Sequence, residues 1–288
     1  MQAFERLIRA GGGQLETNAD VEQILFENDR AVGVRLADGR EYRARDVICN
    51  VTPTQLYQRL LPAAKVPANI AAQARQYRYG KGNLQIHLAL SQPPRWPAAA
   101  LERVGYLHLV GGADAVSRAV NEAERGLLPA EPTICVAQPT ALDPSRAPEG
   151  RHILWIQLPE CPREPIGDAA GLIEVPTSRR WTPALREAFA DRVIDRLARQ
   201  VPNLTDSVLA RTVISPADLE GMNMNLVGGD PYGGDCSLDQ SFLWRPLRAT
   251  RNHETHLGHL WHIGASTHPG PGLGGGSGFH VAKALGAV

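Results

Sequence analysis

The chain has 288 residues, 43% hydrophobic and 21% charged, with Lys+Arg and Asp+Glu matched at 30 each. That length supports one large domain or two smaller ones with a sizeable core, and the composition excludes a disordered or fibrous chain. A formal net charge of zero leaves no long-range field favouring nucleic acid or an anionic membrane.

The four cysteines (Cys49, Cys135, Cys161 and Cys236) stand far apart and form no C-x-x-C, which argues against a zinc knuckle or redox pair. Their spacing fits a reducing cytosol. No apolar run approaches the roughly 20 residues of a membrane span, and the N-terminus carries no signal-peptide pattern. The expected location is the cytoplasm, with peripheral membrane contact compatible with a lipophilic substrate.

In chain order, Phe4, Leu7 and Ile8 predict a helix over 3–10 that ends at Gly11-Gly12-Gly13. Strands are expected over 21–26 and 32–36, Asp38-Gly39 is a hairpin turn, and 41–44 returns. Val47-Ile48-Cys49 reads as a buried strand ending at Asn50, followed by a helix over 54–62 with Leu56, Leu60 and Leu61 inward. The run 84–90 alternates apolar and polar residues, as do 106–110 and 153–158, with prolines marking the loops between them. This predicts a largely antiparallel sheet inserted into an α/β framework, so the fold class is α/β with an α+β insert.

A helix over 183–200 is the clearest element: Thr182 is its N-cap, Pro183 its first residue, and Leu185, Phe189, Val193 and Leu197 its apolar stripe. Arg186, Asp191, Arg192, Asp195 and Arg196 are expected to face away. Another strand is read over 208–214. Residues 223–239 are Gly-rich and too polar for core, hence a functional loop or a disordered segment. Asp230-Pro231 reads as a turn, and Trp181 and Trp244 as core.

The closing stretch, 260–285, organises the chain. A strand-like run over 260–263 meets Gly264, and Gly270, Gly272, Gly274, Gly275, Gly276 and Gly278 then crowd a loop before a helix-like run over 281–285. Such glycines let backbone approach a ligand and take positive φ. A helix starting there offers unpaired N–H groups and a partial positive charge. Together they make a seat for a flat, electron-rich or anionic group. Gly270, Gly272 and Gly275 spell G-x-G-x-x-G, but a dinucleotide fold needs a further strand and an acidic residue about 20 positions on. A Gly/Pro-rich tail is the plain alternative.

His253, His256, His259 and His262 recur every third residue. That spacing on a strand or loop does not gather four imidazoles, and no H-E-x-x-H occurs, so no metal site is expected and hydrogen-bonded histidines are. Gly275-Gly276-Ser277-Gly278-Phe279 nearly spells a nucleophile elbow but lacks its last glycine. No residue stands out as an acid or base, and the catalytic residues stay unassigned.

The run GASTHPGPGLGGGSG closely resembles the C-terminal flavin-binding signature of phytoene-desaturase-like flavoproteins, relatives of carotenoid desaturases and isomerases among the amine-oxidase-like FAD oxidoreductases. LVGGDPYGGDCSLDQSFLWRP resembles the segment before that signature, and residues 4–51 resemble the middle segment of the family's FAD domain. The resemblance implies FAD-domain segments at 1–61 and 241–288, with a substrate-binding domain at 62–240 between them. It implies that Gly264, Ala265 and Ser266 contact the ribityl–pyrophosphate region, and that Gly275, Gly276 and Ser277 offer N–H groups to the flavin N1–C2=O. Val21 matches the position whose backbone meets the adenine. Ala265, where many amine oxidases have Asp, favours the desaturase-like branch, and His280 is a candidate flavin contact.

The family's N-terminal βαβ unit has no counterpart here. The expected function is therefore the substrate-binding and C-terminal flavin-binding part of an oxidoreductase that moves hydride between an apolar substrate and flavin N5. Either the chain is a fragment or truncated reading frame, or an N-terminal dinucleotide-binding chain or a homo-oligomer is the implied partner; the chain alone is expected to bind FAD weakly or not at all, and to be inactive if that half is truly absent. The alternatives are a non-catalytic partner subunit of the same fold and a histidine-bound metalloprotein.

Overall fold

A computed structural model describes residues 2–272 and 275–287. The chain forms two compact units, one of residues 1–78 and 236–288 and the other of residues 79–235.

The first unit opens with helix α1 (Gln2–Ala10), which is closed by N–H bonds from Gly11, Gly12 and Gly13 to its last carbonyls. None of its residues is buried, and Phe4 and Leu7 are 70% and 69% exposed. Strands β1 (Val21–Glu27), β2 (Arg30–Leu36) and β3 (Glu41–Arg43) form an antiparallel meander in that order. Gly33 is obligatory there, because a Cβ would lie 2.0 Å from the Tyr42 carbonyl oxygen. Strand β4 (Val47–Cys49) leads to a single π-helical turn, Gln55–Leu60, that buries Leu56, Tyr57 and Leu60. Helix α2 (Ala68–Arg75) buries Ile70 and Ala74.

The second unit contains β5 (Gly82–Leu90), β6 (Tyr106–Leu109), α3 (Ala113–Glu124), β7 (Leu127–Leu128) and β8 (Ile134–Ala137). These are followed by β9 (His152–Cys161), β10 (Gly167–Asp168), α4 (Pro183–Ala198), α5 (Leu204–Ser207), β11 (Val208–Ile214) and α6 (Pro216–Met222). Five of the strands make one sheet, ordered β11-β5-β9-β8-β6, with every pair antiparallel. The period-two pattern of β5 and β9 sends Leu84, Ile86, Leu88, Leu90, Leu154, Ile156 and Leu158 to one face, each at most 1% exposed. Helix α4 covers that face with Leu185, Phe189, Val193 and Leu197. Each such side chain contributes about 1.5–3 kcal/mol by leaving water. The Thr182 hydroxyl caps α4 by accepting the Leu185 N–H at 3.2 Å.

Two sequence expectations need correction here, and a third is narrowed. Arg192 does not face solvent: it makes two hydrogen bonds to Asp168, whose side chain is 1% exposed and also accepts N–H groups of Leu172 and Ile173. A buried carboxylate needs such partners. Trp181 is core and donates Nε1–H to the Pro162 carbonyl, whereas Trp244 is 46% exposed. The glycine-rich stretch 223–239 is ordered around Asp230, fully buried, whose carboxylate accepts N–H bonds from Gly80, Tyr232 and Gly234 at 2.7–2.9 Å.

Back in the first unit, β12 (Leu260–His262) pairs parallel with β4, aligning Leu260 with Val47 and His262 with Cys49. The chain ends in helix α7 (Gly276–Ala284).

Candidate functional site

The site is built on the carboxyl ends of β4 and β12. His262, 1% exposed, closes β12 by donating Nε2–H to the Val51 carbonyl at 2.7 Å. That bond fixes the tautomer and leaves Nδ1 without a partner, while burial pushes the pKa down to about 4 and keeps the ring neutral.

Two residues later the chain passes so close to the end of β4 that only glycine fits. Gly264 has φ +100°, and a Cβ there would sit 2.1 Å from Asn50 Oδ1. Its carbonyl accepts the N–H and hydroxyl of Thr267 at 3.0 and 2.9 Å, folding 264–267 into a tight turn with Ser266 and Thr267 buried. Arg245, 3% exposed, donates Nε–H to the Ala265 carbonyl at 2.9 Å and holds the turn from behind. The Gly264 N–H donates to Ser277 Oγ at 3.0 Å, which ties the strand end to the start of α7.

Gly275 takes the left-handed conformation as N-cap, and Phe279 N–H to Gly275 C=O is the first α-helical bond. The N–H groups of Gly276, Ser277 and Gly278 therefore precede any intrahelical acceptor. Gly275 and Gly278 have nothing within 4 Å of where a Cβ would project. The seat is bare backbone at the positive end of a helix dipole, the arrangement that accepts an anion or the electron-rich edge of a ring.

Six of the seven residues named from the sequence thus lie on one strand–loop–helix segment. Gly264 and Ser277 are bonded to each other, Ala265 and Ser266 sit in the turn, and Gly275 and Gly276 start the helix. Val21 lies on a different sheet, where it pairs with Leu36. Gly274 is outside the described residues. His280 lies a turn further along α7 and stacks on His253 at 5.8 Å. Asn50 and Arg245 escaped the sequence reading: Asn50 signals only a strand end, and Arg245 looks like a surface cation beside Pro246.

The four spaced histidines do not converge. His253 bonds the His262 carbonyl, His256 the Lys65 carbonyl, His259 the Asp46 carboxylate, and His262 the Val51 carbonyl. Among the described residues, no group of three or more His, Cys, Asp or Glu side chains could hold a metal.

In the second unit, the sheet face opposite α4 carries an aromatic ladder. Trp155 stacks on His87 at 6.4 Å and meets Tyr106 at 6.4 Å, and Gln85 Oε1 lies 3.3 Å from Trp155 Nε1. Burial holds the His87 pKa below its ordinary value.

Residues 1–214 match the profile of the flavin containing amine oxidoreductases. The chain belongs to that family. It is 27% identical over 284 residues to mouse pyridine nucleotide-disulfide oxidoreductase domain-containing protein 2, covering 95% of this chain and 47% of the mouse protein. It is 29% identical over 276 residues to the zeta-carotene-forming phytoene desaturase of Myxococcus xanthus, covering 94% and 47%. Among solved structures, an oxidoreductase from Methanosarcina mazei shares the fold, with a TM-score of 0.53 at 17% identity over 92% of this chain and 48% of that one. The chain spans about half the length of the curated relatives it matches. FAD is the cofactor that this membership implies for the complete enzyme. No helix among the described residues is long and apolar enough to cross a membrane.

Proposed function

We propose that this chain supplies the substrate-binding part and the C-terminal flavin-binding part of an FAD-dependent oxidoreductase of the desaturase or dehydrogenase kind. The observation that carries this reading is the start of α7: N–H groups that precede any intrahelical acceptor, with open space where Gly275 and Gly278 lack a Cβ, on a loop tied to β12 through Gly264 and Ser277. Gly275, Gly276 and Ser277 would hold the N1–C2=O edge of the flavin, where N–H donors favour the negative charge of the reduced ring. Gly264, Ala265 and Ser266 would line the ribityl–pyrophosphate region, and Val21 the adenine. Bound FAD would supply hydride transfer at N5 to or from an apolar substrate, and the chain would orient the ring and keep water away.

The substrate class comes from the phytoene desaturases among the relatives. Residues 1–61 and 241–288 would be the flavin-binding segments and 62–240 the substrate-binding domain. A separate dinucleotide-binding segment is supported by β4, whose only strand neighbour among the described residues is β12, and by α1, which buries nothing. The four cysteines remain thiols, in keeping with a reducing, cytoplasmic setting.

The test supplies the dinucleotide-binding half of a full-length relative as a second chain and measures flavin retained after gel filtration. The single chain should keep little FAD and the pair should keep it. Gly278→Asp should stabilise α7, since an acid suits the first turn of a helix, yet lower FAD affinity at least tenfold. Unchanged flavin retention in that variant would overturn the assignment of the seat. Stoichiometric flavin on the single chain would overturn the need for a second segment.

A second reading, a non-catalytic partner subunit, draws on the exposed Leu238, Phe242 and Leu243, at 77%, 63% and 87%. Monomers seldom leave contiguous apolar patches uncovered. Association with the second chain that does not depend on FAD, and no flavin in the complex, would favour it.

A further inference from the structure

The core of the second unit is not closed at its β6 edge. Leu107 and Leu109 point toward the core layer and, with Leu101, pack against it, yet all three stay partly open, unlike the leucines of β5 and β9. They floor a cleft of about 700 Å³ whose wall includes Trp96 and whose mouth carries Arg196 and Arg199 from the end of α4. That size suits a small-molecule ligand.

The charge at the mouth is unbalanced. Arg196 shares a 3.4 Å contact with Glu131, which is 55% exposed. Arg199 is exposed and has no ion-pair partner among the described residues. Two guanidinium groups against one carboxylate leave one cation in excess beside an apolar floor. Both arginines stand at the C-terminal end of α4, where the helix dipole favours a cation. A guanidinium has five N–H donors in a planar fork that matches a carboxylate.

We propose that this cleft binds a long-chain carboxylate, with its alkyl tail along Leu101, Leu107 and Leu109 against Trp96 and its head on Arg199 and Arg196. A single excess charge suits a monoanion better than a nucleotide or polyphosphate. The site is independent of the flavin reading, because every residue in it belongs to the second unit.

The experiment titrates the full chain with laurate below its micelle concentration and with dodecanol, following tryptophan fluorescence and calorimetry. Laurate should bind saturably in one-to-one stoichiometry and tighter than dodecanol by about tenfold to a hundredfold, the range for a charge-assisted pair. Arg196→Ala/Arg199→Ala should abolish that preference while leaving dodecanol binding unchanged and moving the melting temperature little, since Arg199 is exposed and the Arg196–Glu131 pair is solvated on its Glu131 side. Ala98→Phe, at the rim of the cleft, should weaken both ligands. Equal affinity for laurate and dodecanol, equal laurate binding by the double variant, no saturable binding, or binding only to phospholipid vesicles would each overturn the proposal.

Discussion

The two units of this protein handle burial in opposite ways. The second unit has a five-stranded sheet and a helix that share one dry layer, with Phe189 at 0% exposure in its middle. In the first unit a two-stranded parallel sheet, a meander and an amphipathic helix each keep apolar surface open. Parallel sheets are ordinarily covered on both faces and wider than two strands. The contrast separates a unit with a closed apolar layer from one whose turn at Gly264 and helix start at Gly276 rest on a thinner core.

The largest expected effect tests that contrast. Phe189→Ala should destabilise the second unit by about 3–5 kcal/mol, the cost of a cavity in a tightly packed core. Leu7→Ala in α1, where the side chain is 69% exposed, should change stability by no more than about 0.5 kcal/mol. Urea unfolding followed by tryptophan fluorescence and circular dichroism reads both. Comparable losses in the two variants would break the comparison.

The next effect separates the units by pH. His262 in the first unit has its folded pKa lowered by burial from 6.5 to about 4. Its contribution is complete above pH 6.5 and is lost as pH falls toward 4, a difference of roughly 3 kcal/mol. His253, lowered mainly by burial, acts in the same sense below pH 6.5. In the second unit burial pushes Asp168 up, but its bonds from Arg192 and two N–H groups outweigh that and bring it below 3.8, so its contribution is lost only in stronger acid. Glu160 works in the reverse sense: burial raises its pKa, and its charged form weakens the second unit as pH climbs past 4.5. The first unit should therefore lose stability between pH 6.5 and 4, before Asp168 yields. His262→Gln should flatten that loss while retaining an N–H for Val51. An unchanged pH profile in the variant would show that another group governs the window.

How much of this was legible in the residues depended on whether the cause was local. The Thr182-Pro183 start of α4 and its Leu185–Phe189–Val193 stripe are local, and they stand where the pattern puts them. The meander follows from Asp38-Gly39 and alternation. Helix α3 was missed because its buried positions are only Ala119 and Ala123, too small to make a stripe. Strand β8, the apolar run Ile134–Ala137, went unread although it is longer than Val47–Cys49, which was read as a strand. The π-helical turn was read as an ordinary helix because both wind Leu56 and Leu60 inward. At the site the glycines were legible and their reason was not. Gly264 is required by Asn50, which only strand pairing brings alongside. Arg192 was assigned to solvent because helical periodicity cannot see Asp168.

The smallest effect uses one kind of interaction in both units. Arg9 and Glu5 form an i,i+4 pair at 3.0 Å on α1, with side chains 55% and 48% exposed. Both ends are solvated and salt screens them, so the attraction is nearly offset by the entropy of holding two long side chains. Arg9→Ala should cost no more than about 0.5 kcal/mol, and that loss should disappear at high salt. The Arg192–Asp168 pair has the same chemistry, but its side chains are 14% and 1% exposed. Water cannot replace the missing partner there, and an uncompensated buried carboxylate would remain. Salt-dependent thermal melts of Arg9→Ala therefore measure how far α1 stands from any packed surface. A salt-insensitive loss above 1 kcal/mol would mean that α1 is covered in solution, and the open character assigned to the first unit would have to be given up.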